Sequence, residues 1–131
     1  MPAPTRELIV DLDAIVANTA LLTERSGSAG VMAVVKADAY GHGLVPSAKA
    51  AIAGGAQWLG VALLDEALAL RAGGVQAPVL AWLVGPGEPW ADALNQGIDL
   101  SAADIDVVDE IAAAAREVDR VARVHLKVDS G

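Results

Sequence analysis

The chain contains no cysteine, so it has no disulfide framework, no thiolate nucleophile and no cysteine metal site. Two histidines, His42 and His125, are too few for a histidine-rich metal centre, and no metal is expected. Basic residues are scarce: nine Lys and Arg stand against 17 Asp and Glu, a formal net charge of −8. No basic patch is visible, which argues against a nucleic-acid backbone or an anionic lipid surface as partner. Apolar runs such as Trp58–Leu64 are far too short to span a bilayer, and the segment Met1–Glu7 lacks the apolar core of a signal peptide. A soluble cytoplasmic protein is the expectation. Phenylalanine is absent and only one tyrosine, Tyr40, is present. What is abundant is aliphatic: 54% of the 131 residues are hydrophobic, enough to build one modest domain with a real core.

The hydrophobic pattern alternates. Glu7–Asp11 reads as a short strand, after which Asp11 or Asp13 caps a helix to about Arg25 with Leu12, Ile15, Val16, Thr19 and Leu22 on one face. Further strands are expected at Val31–Lys36, Trp58–Ala62, Val79–Val84, Ile98–Leu100 and Val121–Asp129. Helices are expected between them at about Val45–Ala53, Leu64–Ala72, Trp90–Gln96 and a segment opened by Ser101, with Asp104 as its capping-box partner. That last helix carries Ile105, Val108, Ile111, Ala112, Ala115 and Val118 at helical spacing, and its acidic residues at 104, 106, 109 and 110 read as a solvated face. Repeated strand–helix alternation implies right-handed crossovers and a parallel α/β sheet. Two architectures fit: an open five-stranded flavodoxin-like sheet, or the first part of a (β/α)8 TIM-type barrel. The final strand favours the barrel. Arg123, His125, Lys127 and Asp129 fall on one face of it, whereas a central strand in an open doubly wound sheet is apolar on both. The chain stops at Asp129-Ser130-Gly131 straight after a strand, which predicts a portion of a longer protein.

Chemistry concentrates in Val34-Val35-Lys36-Ala37-Asp38-Ala39-Tyr40-Gly41-His42-Gly43. A lysine closing an apolar strand sits where burial disfavours its charge, and a lysine that sheds its proton can attack a carbonyl and hold an aldehyde as a Schiff base. The plain alternative is a snorkelling lysine with its amine in solvent. The aromatic hydroxyl, second titratable ring and flanking glycines that follow favour a site, since parallel α/β folds bind ligands at the carboxyl ends of their strands. Gly41-His42-Gly43 matches neither a dinucleotide fingerprint nor a Walker loop. Lys127 on the last strand is either solvated or shares a mouth with Lys36, where two ammonium groups would attract a phosphate or carboxylate and depress each other's pKa. Trp82 alternates with Leu80 and Val84 and reads as core packing; Asp65 and Glu66 read as caps of the next helix.

Ala33–Gly43 resembles the pyridoxal-phosphate attachment motif of the alanine racemases. Val10–Ile15 with Asn18, Leu59–Ala62 with Asp65–Arg71, and His125–Gly131 agree in order and spacing. The resemblance spans nearly the whole chain, so residues 1–131 are expected to be the N-terminal portion of a pyridoxal-phosphate-binding (β/α)8 barrel domain, with the family's C-terminal β domain lying outside it. It implies a homodimeric isomerase that interconverts L- and D-alanine through a pyridoxal 5'-phosphate aldimine and supplies D-alanine for peptidoglycan. By the same resemblance Lys36 is the catalytic lysine that carries the cofactor, and Tyr40 binds its phosphate. Trp82 lies on the strand that packs against it, and Lys127 occupies a position carbamylated in some members. The family's second base is a tyrosine from the partner subunit, and Tyr40 is already assigned, so the 131-residue chain is expected to be inactive alone. Two other readings compete. One is a small α/β module that binds an anion through Lys36 and Lys127 without chemistry. The other is a different pyridoxal-phosphate barrel protein, such as a decarboxylase.

Overall fold

A computed structural model of the chain describes residues 5–128 together with Ser130 and Gly131. Helix α1 (Leu12–Arg25) begins where the Asp11 carboxylate accepts the Ala14 N–H at 3.1 Å, with Asp13 in its first turn and Arg25 in its last. These charges complement the helix dipole at both ends. Its buried contact centres on Thr19, flanked by half-buried Ile15 and Val16, while Leu12 and Leu22 of the expected face are exposed. Here α1 meets the end of α3 (Leu44–Ala53), where Gly54 lies against the Val16 carbonyl and Thr19; a Cβ at Gly54 would collide with both.

Five strands form one parallel sheet: β1 (Met32–Val34), β2 (Trp58–Val61), β3 (Val79–Ala81), β4 (Asp99–Ala102) and β5 (Val124–Leu126). Their spatial order is β1-β2-β3-β4-β5, each strand beside its sequence neighbour. A flavodoxin-like sheet reverses direction after its second strand and so puts helices on both faces. Sequential right-handed crossovers put every helix on one face instead, as in a barrel wall. Helices α4 (Leu64–Ala72), α5 (Trp90–Asn95) and α6 (Ile105–Glu117) follow β2, β3 and β4 in turn. Leu59, Val61, Val79, Ala81, Leu100 and Ala102 face the helices and are almost fully buried against Leu64, Leu70, Leu94 and Ile111.

The alternate residues line the other face: Met32, Val34, Trp58, Gly60, Leu80, Trp82, Asp99, Ser101, Arg123, His125 and Lys127. The sheet curls toward it. In a flat sheet β2 and β5 would lie about 14 Å apart at the usual ~4.8 Å spacing, yet the Trp58 and His125 rings meet edge to face at 6.1 Å.

Several expected boundaries shift. Residues 7–11 form no strand; Leu8 and Ile9 are 86% and 77% exposed, because the segment has no neighbouring ladder to join. Ser101 is not a helix cap. It lies in β4, and its hydroxyl donates to the Trp82 carbonyl at 2.9 Å, while the Asp104 carboxylate caps α6 by accepting the Val107 N–H at 2.9 Å. The buried face of α6 is Val107, Ile111 and Ala114, one position round from the expected stripe, and Ile105 is exposed. Glu110 is not simply solvated. One of its oxygens accepts from the Gly87 N–H and from Trp90 Nε1–H, each at 2.8 Å, and these bonds hold the carboxyl below its ordinary pKa. Strands β3 and β5 are shorter than their hydrophobic runs, although the Leu83 N–H to Ala62 and Lys127 N–H to Ala102 bonds, both 2.8 Å, continue the pairing. Asp129, expected on the last strand, lies outside the described residues.

Candidate active site

Val35 is buried at the end of β1, and its N–H donates to the Gly60 carbonyl of β2 at 2.9 Å. The chain then leaves the sheet through α2 (Lys36–Gly41), which is a left-handed turn. Ala37, Asp38, Ala39 and Tyr40 all have φ of 51 to 58° and ψ of 35 to 52°. Left-handed helical backbone costs an L-residue about 1–2 kcal/mol, so four in a row store roughly 4–8 kcal/mol of strain. Such strain persists only where its surroundings over-determine it.

Those surroundings are specific. The Ala37 N–H donates to Glu66 Oε1 at 2.5 Å, and Glu66 Oε2 accepts the Ala62 and Leu63 N–H groups, each at 3.0 Å. One carboxylate therefore joins the start of the turn to the carboxyl end of β2 and the first turn of α4. At the far end Asp38 Oδ1 accepts the Leu44 N–H at 2.7 Å, the Asp38 carbonyl accepts the Gly43 N–H at 2.9 Å, and His42 Nδ1 meets the Ala39 carbonyl at 2.8 Å. His42, a candidate second titratable group beside the lysine, thus serves the turn's own backbone. The Ala39 methyl is buried in the core, which anchors the middle of the turn.

The result is a half-buried Lys36 at the carboxyl end of β1, its Nζ 5.1 Å from the centre of the Tyr40 ring. Among the described residues no carboxylate pairs with that ammonium group. Tyr40 itself is 60% exposed, so its hydroxyl is free to meet a ligand. On the neighbouring strand the Trp82 ring lies directly over Gly60, where any Cβ would overlap it. The absence of a side chain at Gly60 is what makes room for the indole over β2. Trp82 is half-buried, on the same sheet face as Lys127, rather than in the core beneath the helices.

Lys127 follows β5 at the same end of the sheet and is exposed. It is not brought against Lys36: β1 and β5 are the two edges of the sheet, and no contact joins the lysines among the described residues. Strands 1 and 5 of an eight-stranded barrel stand opposite one another across its mouth, which is the arrangement in which both would face one ligand.

The polar cluster at the other end of the strands is separate. Asp99, 2% exposed, accepts from Arg123 Nε at 2.8 Å and pairs with His125 Nε2 at 3.3 Å, and the Arg123 guanidinium lies 5.6 Å from the Trp58 ring centre. Nearby, Arg71 donates to the carbonyls of Val75 and Ala77 at 2.9 Å, Gln96 at 2.9 Å and Gly97 at 3.3 Å. Burial lowers the Arg71 pKa, opposed by the Asp99 charge. These residues lie at the amino ends of the strands, where parallel barrels place stability rather than catalysis. No grouping of three or more metal-ligating side chains occurs among the described residues, and no helix among them is long and apolar enough to cross a membrane.

A half-buried primary amine at a strand's carboxyl end, with no carboxylate partner among the described residues and a phenol ring centre 5.1 Å away, fits an aldehyde cofactor of the pyridoxal type. Residues 10–131 match the family model described as alanine racemase, N-terminal domain. The chain is 59% identical over 125 residues to an alanine racemase of Thermobifida fusca, a match covering 95% of this chain and 33% of that protein. It is 60% identical over 131 residues to one of Beutenbergia cavernae, covering 100% and 34%. Among solved structures, the alanine racemase from D-cycloserine-producing Streptomyces lavendulae superposes with a TM-score of 0.91 at 49% identity, covering 93% of this chain and 32% of that one. The chain spans about a third of the length of the curated relatives it matches.

Proposed function

This chain belongs to the alanine racemase N-terminal domain family, and from that premise we propose that the whole protein interconverts L- and D-alanine with pyridoxal 5'-phosphate carried on Lys36. The observation that supports this most is the half-buried Lys36 amine, unpaired among the described residues and fixed at a strand's carboxyl end by a strained turn. When bound, such a cofactor supplies an electron sink that acidifies the Cα–H bond of an attached amino acid.

The chain's own residues do the rest. Lys36 would hold the cofactor aldehyde through Nζ, and its amine would take a proton from one face of the substrate Cα or return it there. Tyr40 would donate its phenolic hydrogen to the phosphate, and Trp82 would pack its indole against the cofactor and exclude water. Lys127, as the carbamate or the free amine, would contribute from the opposite strand. A single base tends to return the proton to the face it came from, so inversion needs a second base on the other face. Tyr40 is the only tyrosine here, and we assign the second base to a partner subunit of a homodimer. The C-terminal β domain, a cytoplasmic location and the supply of D-alanine to peptidoglycan belong to the same proposal.

The test is D-alanine formation from L-alanine by the whole protein. Turnover that requires added pyridoxal phosphate and is abolished by Lys36→Ala supports the reading. Turnover that survives Lys36→Ala, or none with the cofactor present, overturns it.

A further inference from the structure

We propose that Glu66 is a positioning residue for Lys36, acting through the left-handed turn; the proposal rests on the racemase reading above. Among the described residues Glu66 forms no ion pair with the Lys36 amine. Its carboxylate instead accepts the N–H of Ala37, the residue bonded directly to Lys36, and with its other oxygen the N–H groups of Ala62 and Leu63. Position 37 is where the backbone crosses from extended β1 into left-handed geometry, with φ moving to 53°. The local sequence does not demand that change, because alanine prefers the right-handed helix. The hydrogen bond from a residue 29 positions away specifies it. Because χ1 of Lys36 starts from this junction, the hand of the turn decides which way the amine leaves the sheet. It also brings Tyr40 back to within 5.1 Å of the amine.

An ordinary helix-capping glutamate would need only the Leu63 and Ala62 bonds. The Ala37 bond is the excess that capping does not explain. Glu66→Gln separates the two roles. The amide has one acceptor oxygen, and two N–H donors share one side of the site against a single donor on the other. The oxygen therefore turns to Ala62 and Leu63, and the NH2 group faces the Ala37 N–H, donor against donor. The cap survives and the link to the turn is lost.

The experiment uses the whole protein in wild-type, Glu66→Gln and Glu66→Ala forms. Hydrogen exchange of the cofactor-free protein is expected to rise about tenfold or more at the Ala37 amide in Glu66→Gln, with Ala62 and Leu63 far less affected. In cofactor-loaded protein kcat per loaded site is expected to fall about tenfold to a hundredfold, with KM for alanine nearly unchanged and the thermal midpoint lowered by less than about 4 °C. Glu66→Ala is expected to lose the cap as well and to fall further in thermal stability. An Ala37 amide as protected in Glu66→Gln as in wild type overturns the proposal. So does unchanged kcat per loaded site, which would make Glu66 a cap alone. Wild-type protein that shows no racemisation overturns the racemase reading instead, and the exchange measurement keeps the two failures apart.

Discussion

Replacing Ala37 by glycine tests the hand of the turn by the sign of a stability change. Ala37 is exposed, so the lost methyl removes little packing. In a right-handed helix Ala→Gly costs about 1 kcal/mol. At φ 53° the balance reverses. Glycine sheds about 1–2 kcal/mol of left-handed strain and loses about 0.4–1 kcal/mol through the greater freedom of the unfolded chain. The expected net is a stabilisation of about 0.8 kcal/mol, some 2 kcal/mol away from the right-handed outcome. Ala113 in α6 provides the matched control, being an exposed alanine in a right-handed helix; Ala113→Gly is expected to destabilise by about 1 kcal/mol. Urea unfolding of both variants reads the two signs, since with m values of about 1–3 kcal/mol/M they move the midpoint in opposite directions. A third variant, Ala37→Val, places a β-branched residue in left-handed backbone and is expected to be worse than wild type. If Ala37→Gly destabilises as much as Ala113→Gly, the turn is not left-handed in solution and the route by which Glu66 directs Lys36 fails.

Other perturbations probe the rest of the frame. Gly60→Ala pushes a methyl into the Trp82 ring and toward Met32; it should cost about 1–3 kcal/mol by overpacking, and most of that cost should vanish in the Gly60→Ala/Trp82→Ala double variant, read by urea unfolding. Arg71 gathers four carbonyls from two loops; Arg71→Lys, which keeps the charge but not the fork, should lose about 2 kcal/mol. Glu110 has its pKa lowered by the Gly87 and Trp90 N–H groups. A carboxyl whose folded pKa is depressed stabilises the fold above its unfolded value of 4.5, and that contribution is lost as pH falls through the folded pKa. Wild type should therefore exceed Glu110→Gln in stability at pH 7, and the gap should close as pH falls through the depressed folded pKa, followed by tryptophan fluorescence on unfolding. A stability gap that does not change with pH would remove Glu110 from this role.

The barrel-wall architecture was legible because its signal is redundant. Each apolar run is punctuated by glycine or an acidic cap, and α4 spans the expected residues Leu64–Ala72. The place of Lys36 at the carboxyl end of β1 was legible for a similar reason, since a charge at the end of an apolar strand is locally anomalous. The left-handed turn was not. Lys-Ala-Asp-Ala-Tyr carries no glycine within it, its alanines favour the opposite hand, and the carboxylate that fixes it lies 29 residues on. Ser101 misled for a related reason. A serine before a helix is a good cap by propensity, but its neighbour across the sheet, the Trp82 carbonyl, claims the hydroxyl. Residues 7–11 hold a short apolar run, Leu8-Ile9-Val10, yet such a run yields no strand where no ladder is in reach. The relation of Lys36 to Lys127 depends on barrel curvature, which no local pattern encodes.

The chain contains three lysines, Lys36, Lys49 and Lys127, which makes reductive trapping a direct test of the central claim. Lys49 is exposed on α3 and Lys127 is exposed beyond β5, so both are open to adventitious reaction. Whole protein incubated with stoichiometric pyridoxal phosphate, reduced with borohydride and mapped by peptide mass is predicted to carry one pyridoxyl group, on Lys36. Label spread over Lys49 and Lys127, or found on either in preference to Lys36, would contradict the account.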